Sequence, residues 1–275
     1  MDPHINHQVT FFNVESPLLK HSHNVASQNG EDGIIEHIFG LIPTTSDKHC
    51  VEFGAWDGKH LSNCYNLISN KGWHGLFIEA NAKKFSQLLL NHGTNQKVVC
   101  LNRYVEFHGD NSLDHLIAQS LFPADFDLLS IDIDGADYFV WESLNNYLPK
   151  VVVIEFNPSI PNDVVFVQGK DMRLNQGASL LSLILLGKQK GYELICATAC
   201  NAIFVRSEFY SLFQLRSNHI TTLHPSAGGR IFHGYDSTIF TCGMPRLLWS
   251  GVDIKTEDLQ VLPVSLRNFG DSQSR

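Results

Sequence analysis

Apolar residues in this chain fall into short dense runs of strand length, and the segments between the runs carry apolar positions at helical spacing. The runs predict strands at 50–54, 75–79, 97–101, 127–132, 150–156, 192–198 and 201–206. Helices are expected near 61–71, 82–92, 111–121 and 137–147, and a further one at 178–190 stops at Gly191. Upstream, Ser27-Gln28-Asn29-Gly30-Glu31-Asp32-Gly33 precedes Ile34, Ile35, Ile38 and Phe39, which reads as a capped amphipathic helix. The runs 127–132 and 150–156 are almost unbroken in apolar character, so they belong at the centre of a sheet covered on both faces. Alternating strands and helices predict a parallel sheet joined by right-handed crossovers. The last two runs are too close together for anything but an antiparallel hairpin. The fold class expected is α/β: a doubly wound, Rossmann-like seven-stranded sheet, mostly parallel with one antiparallel edge strand.

The first strand run ends in chemistry. Cys50-Val51-Glu52-Phe53 leads into Gly54-Ala55-Trp56-Asp57-Gly58, an E-x-G-x-x-x-G turn. The first glycine permits a sharp turn, and the second removes a side chain where a ligand would approach the main chain. Asp57-Gly58-Lys59-His60 is not the Gly-Lys-Ser/Thr of a phosphate loop, and the spacing also misses G-x-G-x-x-G. An acidic turn repels a pyrophosphate and suits a ligand with hydroxyls, an amine or a positive centre. Glu79, after the second run, and Asp132 and Asp134, after the fourth, should face the same crevice, because ligands of open α/β sheets bind beyond the carboxyl ends of the strands. Two acids on one loop hold a cation, share a proton or splay into water. Glu155 and Asn157 add oxygen donors at the same edge.

Composition narrows the setting. The 275 residues, 43% hydrophobic and 17% charged, describe a globular chain with room for one large domain and appendages. A net charge of −8 argues against a nucleic-acid partner. Six cysteines without a C-x-x-C pair fit a reducing cytoplasm. The first residues, Met1-Asp2-Pro3-His4, form neither a basic leader nor an apolar core, and no apolar run approaches the roughly 20 residues that span a bilayer, so secretion and membrane insertion are not expected. Of the 14 histidines, His60 beside the turn and His224 or His233 in the tail are candidate general bases, though no H-x-x-x-H or H-x-x-E-H pair occurs.

Glu52-Phe53-Gly54-Ala55-Trp56-Asp57-Gly58 and Phe77-Ile78-Glu79-Ala80 resemble the first and second motifs of class I S-adenosylmethionine-dependent methyltransferases. The wider string is similar to the FkbM-like branch of these enzymes. It runs from Ser27–Gly33 through Ser130–Asp137 to Gly177-Ala-Ser-Leu180 and Asn201–Arg206, and the similarity spans residues 25–207. The resemblance implies O-methylation of a small hydroxylated acceptor, with Glu79 taking the ribose hydroxyls of the cofactor. Glu52, Gly54, Asp57, Gly58, Asp132, Gln28 and Asn29 would line the cofactor pocket, and Asp132, Asp134 and His60 would be the catalytic groups. The acids after the fourth and fifth strands are also similar to those of metal-dependent catechol-type O-methyltransferases. That likeness implies magnesium or another divalent cation at Asp132, Asp134 and Asn157, here with Phe156 between Glu155 and Asn157. The organisation expected is an N-terminal extension at 1–26, a methyltransferase domain at 27–207 and a tail at 208–275 that acts as lid or docking arm. Two other readings stay open: a metal-assisted hydrolase or lyase using Asp132, Asp134 and Glu155, and a non-catalytic S-adenosylmethionine-binding protein. The sequence leaves the oligomeric state open.

Overall fold

The computed structural model describes residues 16–226, 228–243 and 246–267; the reading of the first residues as lacking a leader, and of 1–15 as part of an extension, lies outside the described residues. Seven strands form the main sheet: β1 (His49–Phe53), β2 (His74–Ile78), β3 (Val98–Leu101), β4 (Leu128–Ile131), β5 (Val151–Glu155), β6 (Tyr192–Ala197) and β7 (Asn201–Arg206). Each lies where the apolar runs predict it, with ends shifted by no more than one residue. Their spatial order is β3-β2-β1-β4-β5-β7-β6. β1 to β5 pair in parallel, whereas β7 runs antiparallel to both neighbours and sits between β5 and the outermost β6. The chain starts in mid-sheet, works outward to β3, then returns to β4 and proceeds the other way. The gap between β1 and β4 is therefore the topological switch point, where such sheets open a crevice.

Alternating residues along each strand face opposite helix layers, as a period of two requires. Val51, Phe53, Leu76, Ile78, Leu129, Ile131, Val152 and Ile154 pack with α4 (Leu113–Ala118), α5 (Asp137–Ser143) and α6 (Leu180–Gln189). Cys50, Phe77, Leu128, Val151 and Val153 pack with α1 (Glu31–Leu41), α2 (Tyr65–Ser69) and α3 (Ala82–His92). Helix α2 is shorter than its apolar spacing predicts, because the Ser62 hydroxyl and Asn63 N–H both donate to the buried Glu52 carboxylate and hold the preceding residues out of the helix. The side-chain cap expected for α1 is not made. Gly30 takes a left-handed φ of 91° at the helix start with no capping bond from its side, and Asp32 instead turns back to accept the N–H groups of Val25, Ala26 and Ser27.

Residues 16–26 are built into the domain: Leu18 lies in the α1 core, and the Ser16 hydroxyl donates to the Ile195 carbonyl at 2.9 Å. Beyond β7, α7 (Ile220–Leu223) buries Ile220 and Leu223 against the main sheet. Two small hairpins follow, β8 (Arg230–His233) with β9 (Ile239–Cys242) and β10 (Arg246–Leu247) with β11 (Val252–Asp253). None of the six cysteines is paired, and among the described residues no helix is long and apolar enough to cross a membrane.

One buried ion pair ties the amino ends of three central strands. Lys150 Nζ lies 2.7 Å from Asp127 Oδ1, while Asp127 Oδ2 accepts the His49 N–H at 2.9 Å. Replacing Lys150 with Met strands a buried carboxylate and should cost about 3–5 kcal/mol in urea unfolding. Asp127→Asn combined with Lys150→Met should recover most of that loss, since the amide still accepts from His49; a double variant as unstable as the single one would show that the stranded charge is not the cause.

Candidate functional site

A cavity of about 640 Å³ opens over the carboxyl ends of β1, β2 and β4, and a second of about 340 Å³ adjoins it beyond β5. Asp134, Glu155 and Trp249 line both, so the two chambers meet at these side chains. Gly54 explains why the strand ends can lie so close. It has φ 71°, and a Cβ there would stand 1.8 Å from the Asp132 carbonyl oxygen. The second glycine of the turn does something else. A Cβ on Gly58 would meet Leu88 at 2.5 Å and the His92 ring at 2.7 Å, so Gly58 lets α3 dock and does not line either chamber, contrary to the ligand role its spacing predicts.

Most acids of the region fasten loops. Glu52 lines the larger cavity from a nearly buried position, with one oxygen accepting the Ser62 hydroxyl and the other the Asn63 N–H at 2.9 Å. Glu79 accepts the main-chain N–H of Trp56 at 2.8 Å and of Asn81 at 2.6 Å, which ties the end of β2 to the β1 turn. Asp137 does the same within the loop after β4, taking the N–H groups of Ile133 and Gly135, each at 2.9 Å. Glu31 joins the N-terminal segment to the β6–β7 turn by accepting from Thr198, Asn201 and the Asn29 N–H. Asp57 accepts the N–H groups of Lys59 and His60 in its own turn and stays out of both cavity walls, so the cofactor contact expected of it is not formed by the wall geometry. A carboxylate can hold several main-chain donors at once, which is why this residue type serves here.

Three acids differ. Asp132, Asp134 and Glu155 bring one carboxylate oxygen each within 4.8 Å of one another, a spacing that could hold a metal ion. Asp132 is exposed to the crevice, yet its enclosure by the surrounding strand ends, reinforced by Asp137, Asp134 and Glu52, raises its proton affinity above the usual carboxylate range. Burial, followed by the charges of Asp132, Asp137 and Asp134, raises Glu155 likewise. Glu155 joins the two aspartates in this cluster, and Asn157, expected as the third oxygen ligand, lines the smaller chamber. Its Oδ1 accepts the Ser159 N–H and hydroxyl, which spends the oxygen on a local turn.

The remaining candidates divide. His60 reaches the larger chamber, with its ring edge-on to Trp56 at 5.0 Å between centroids. Gln28 lines that chamber, whereas Asn29 does not and instead donates its amide to the Cys200 sulfur at 3.3 Å. His224 is buried against Phe156, away from both chambers, and burial lowers its pKa to about 4. His233 lies on the exposed strand β8. The sequence reading misses Trp56, Lys84, Arg103, Tyr104, Cys200 and Trp249, all of which form the cavity walls. Only Trp56 carried a local signal, being inside the turn. Lys84 Nζ sits 3.7 Å from the Trp56 ring centroid. Three non-glycine wall residues, Trp56, Leu61 and Asp134, have left-handed φ values of 50°, 58° and 59°, a strain that folds retain where function needs a fixed geometry.

The chain matches no protein-family model. It matches no curated protein. Among solved structures it is similar to the CurJ carbon methyltransferase at 10% identity, covering 64% of this chain and 52% of that one with a TM-score of 0.43. It is also similar to the citrinin polyketide synthase CMeT domain, at 10% identity over 63% of this chain and 50% of that one with a TM-score of 0.43. M. capricolum TrmK in complex with S-adenosyl-homocysteine gives 11% identity over 62% and 65% with a TM-score of 0.37. The chain thus spans about half the length of the first two. At these scores the likeness says nothing of chemistry.

Burial raises the Glu52 pKa to about 7, against the opposing hydrogen bonds from Ser62, Asn63 and Ser130. The sign follows from linkage: a carboxyl with a folded pKa above its unfolded value stabilises the fold in acid, and that contribution is lost as pH rises through about 7. Thermal unfolding of metal-free protein should therefore occur at lower temperature at pH 8 than at pH 5.5, and Glu52→Gln should flatten this dependence. An equally steep dependence in the variant would assign it to other groups.

Proposed function

We propose that this protein is an S-adenosylmethionine-dependent methyltransferase that methylates a hydroxyl group of a small molecule. The observation that carries the reading is the position of the larger chamber: it lies over the carboxyl ends of β1, β2 and β4 at the switch point, with bare Gly54 on one wall and Glu79 at the end of β2. The residues fit the cofactor. Glu79 has two main-chain N–H partners, which leaves lone pairs on both oxygens for a vicinal diol. Gly54 offers an unobstructed main chain, and the Asp132, Asp134 and Glu155 cluster offers carboxyl oxygens to a cationic centre, whose arrival would favour their ionised form. When bound, the cofactor supplies an electrophilic methyl group on a positively charged sulfur.

The chain's own residues would then perform binding, orientation and proton removal. The acceptor hydroxyl belongs in the smaller chamber, because Asp134 and Glu155 are shared between the two. Once ionised, a carboxylate with raised proton affinity is a better base for a hydroxyl than an ordinary one, which favours Glu155 or Asp132, with His60, which also lines the larger chamber, as an alternative. The three-oxygen cluster also has the hardness and the open positions that magnesium or calcium prefers, and an ion there would relieve the repulsion among the acids. Such an ion would be held by Asp132, Asp134 and Glu155. The same cluster supports a second reading, metal-assisted hydrolysis or lyase chemistry with no cofactor. Six unpaired thiols support a reducing, cytoplasmic setting.

Calorimetric titration with S-adenosylhomocysteine separates these readings. Binding is expected, and Glu79→Ala should weaken it by about 1–3 kcal/mol through the lost charge-assisted hydrogen bonds. No binding at near-millimolar ligand would reject the methyltransferase and favour the hydrolase. For the ion, magnesium should raise the melting temperature of the wild-type protein but not of Asp132→Asn combined with Glu155→Gln; equal shifts in both would remove the cation from this site.

A further inference from the structure

The tail beyond residue 208 carries no recognisable motif, yet it completes the walls of the chambers. Trp249 lines both of them and also a third cavity of about 450 Å³, and Leu248 lines the larger chamber and the third cavity. The third cavity therefore continues from the reaction site past one tryptophan. Its wall is apolar, built by Ile231 on β8, Leu247 on β10, and Leu248, Trp249, Ile254 and Leu259 around them. Ile231 is 69% exposed, Leu247 52% and Trp249 63%, an unusual concentration of bare apolar surface beside a polar crevice.

Charge decides what such a cavity takes. Both arginines of the wall already have a carboxylate beside them: Arg230 pairs with Asp163 at 2.9 Å, and Arg246, which also donates to the Gly251 carbonyl at 3.0 Å, lies 3.7 Å from Asp253. An anionic ligand would have to compete with Asp163 and Asp253 there and would meet only carboxyl oxygens, and no cation, in the Asp132, Asp134 and Glu155 cluster at the other end. An uncharged apolar group, by contrast, would cover Ile231, Leu247 and Leu248 and gain the free energy of their burial. A cavity of this size and lining is within the range that holds small organic ligands.

We infer that the third cavity is the tail-binding end of the acceptor site, and that the acceptor is an uncharged amphiphile. Its hydroxylated head lies at Asp134 and Glu155, and its apolar body passes Trp249 and rests on Ile231, Leu247 and Leu248. The inference rests on the methyltransferase reading only for the role of the head; the binding of the body is independent of it. A small, wholly polar acceptor would leave the third cavity and its exposed wall without use.

Hexyl, octyl and decyl β-D-glucosides below their micelle concentrations are suitable probes, titrated into the full-length protein and followed by tryptophan fluorescence and calorimetry. Affinity should rise several-fold with each step of chain length. Leu247→Asp and Ile231→Asp should each weaken decyl glucoside at least about tenfold while S-adenosylhomocysteine affinity stays unchanged. Leu266→Asp, at an exposed leucine outside the cavity, should change neither. Affinity independent of chain length would overturn the inference, as would equal losses in all three variants, or a concentration-dependent dimer, lost in Leu247→Asp, that the glucosides do not disturb. Failure of S-adenosylhomocysteine to bind, with the glucoside series intact, would instead count against the methyltransferase reading alone.

Discussion

Buried carboxylates that accept main-chain N–H groups are what the crevice depends on. Glu52 holds the approach to α2, Glu79 ties the end of β2 to the β1 turn, Asp137 closes the loop after β4, and Glu31 and Asp32 draw the N-terminal segment onto the sheet. Each replaces hydration that the loop amides would otherwise need, and each is itself stabilised by those donors. Because the loops are pinned from beneath, they can keep the left-handed conformations of Trp56, Leu61 and Asp134 at the rim. The cost is a concentration of acids that only their hydrogen bonds make tolerable.

Against this background the three clustered acids stand apart. Asp132, Asp134 and Glu155 lie together at the cavity wall, and burial, reinforced by their mutual repulsion, raises the proton affinity of Asp132 and Glu155. A folded protein keeps such an arrangement where a cation or a proton completes it. Their position between the two chambers gives that completion a chemical use, since a group held in one chamber meets a group held in the other across these oxygens.

The sheet was legible because burial on both faces writes itself as unbroken apolar runs, and every strand from β1 to β7 lies where such a run stands. Helix ends were less so: α2 starts late because Glu52 captures Ser62 and Asn63 before it, and α5 stops early where Asp114 takes the N–H groups of Asn145 and Asn146, tertiary effects with no local pattern. At the site the acids were found by their place after strand ends, but their roles were not. Glu79 and Asp57 have the same residue class and similar settings, and only the fold shows that one borders the cavity while the other caps its own turn. Gly58 was read as room for a ligand and proved to be room for α3. Trp249 could not have been found at all, because its importance comes from a tail folding back over strand ends almost 200 residues earlier in the chain, which spacing does not encode.

On the proposed function, the acid-rimmed crevice over β1, β2 and β4 receives a nucleoside-bearing sulfonium cofactor. The most direct measurement is a crystal structure of the protein grown with S-adenosylhomocysteine. It should show the ribose hydroxyls on Glu79, the main chain of Gly54 beside the ligand, and the sulfur directed toward Asp132 and Asp134. Ligand bound elsewhere on the molecule, or ribose remote from Glu79, would contradict it.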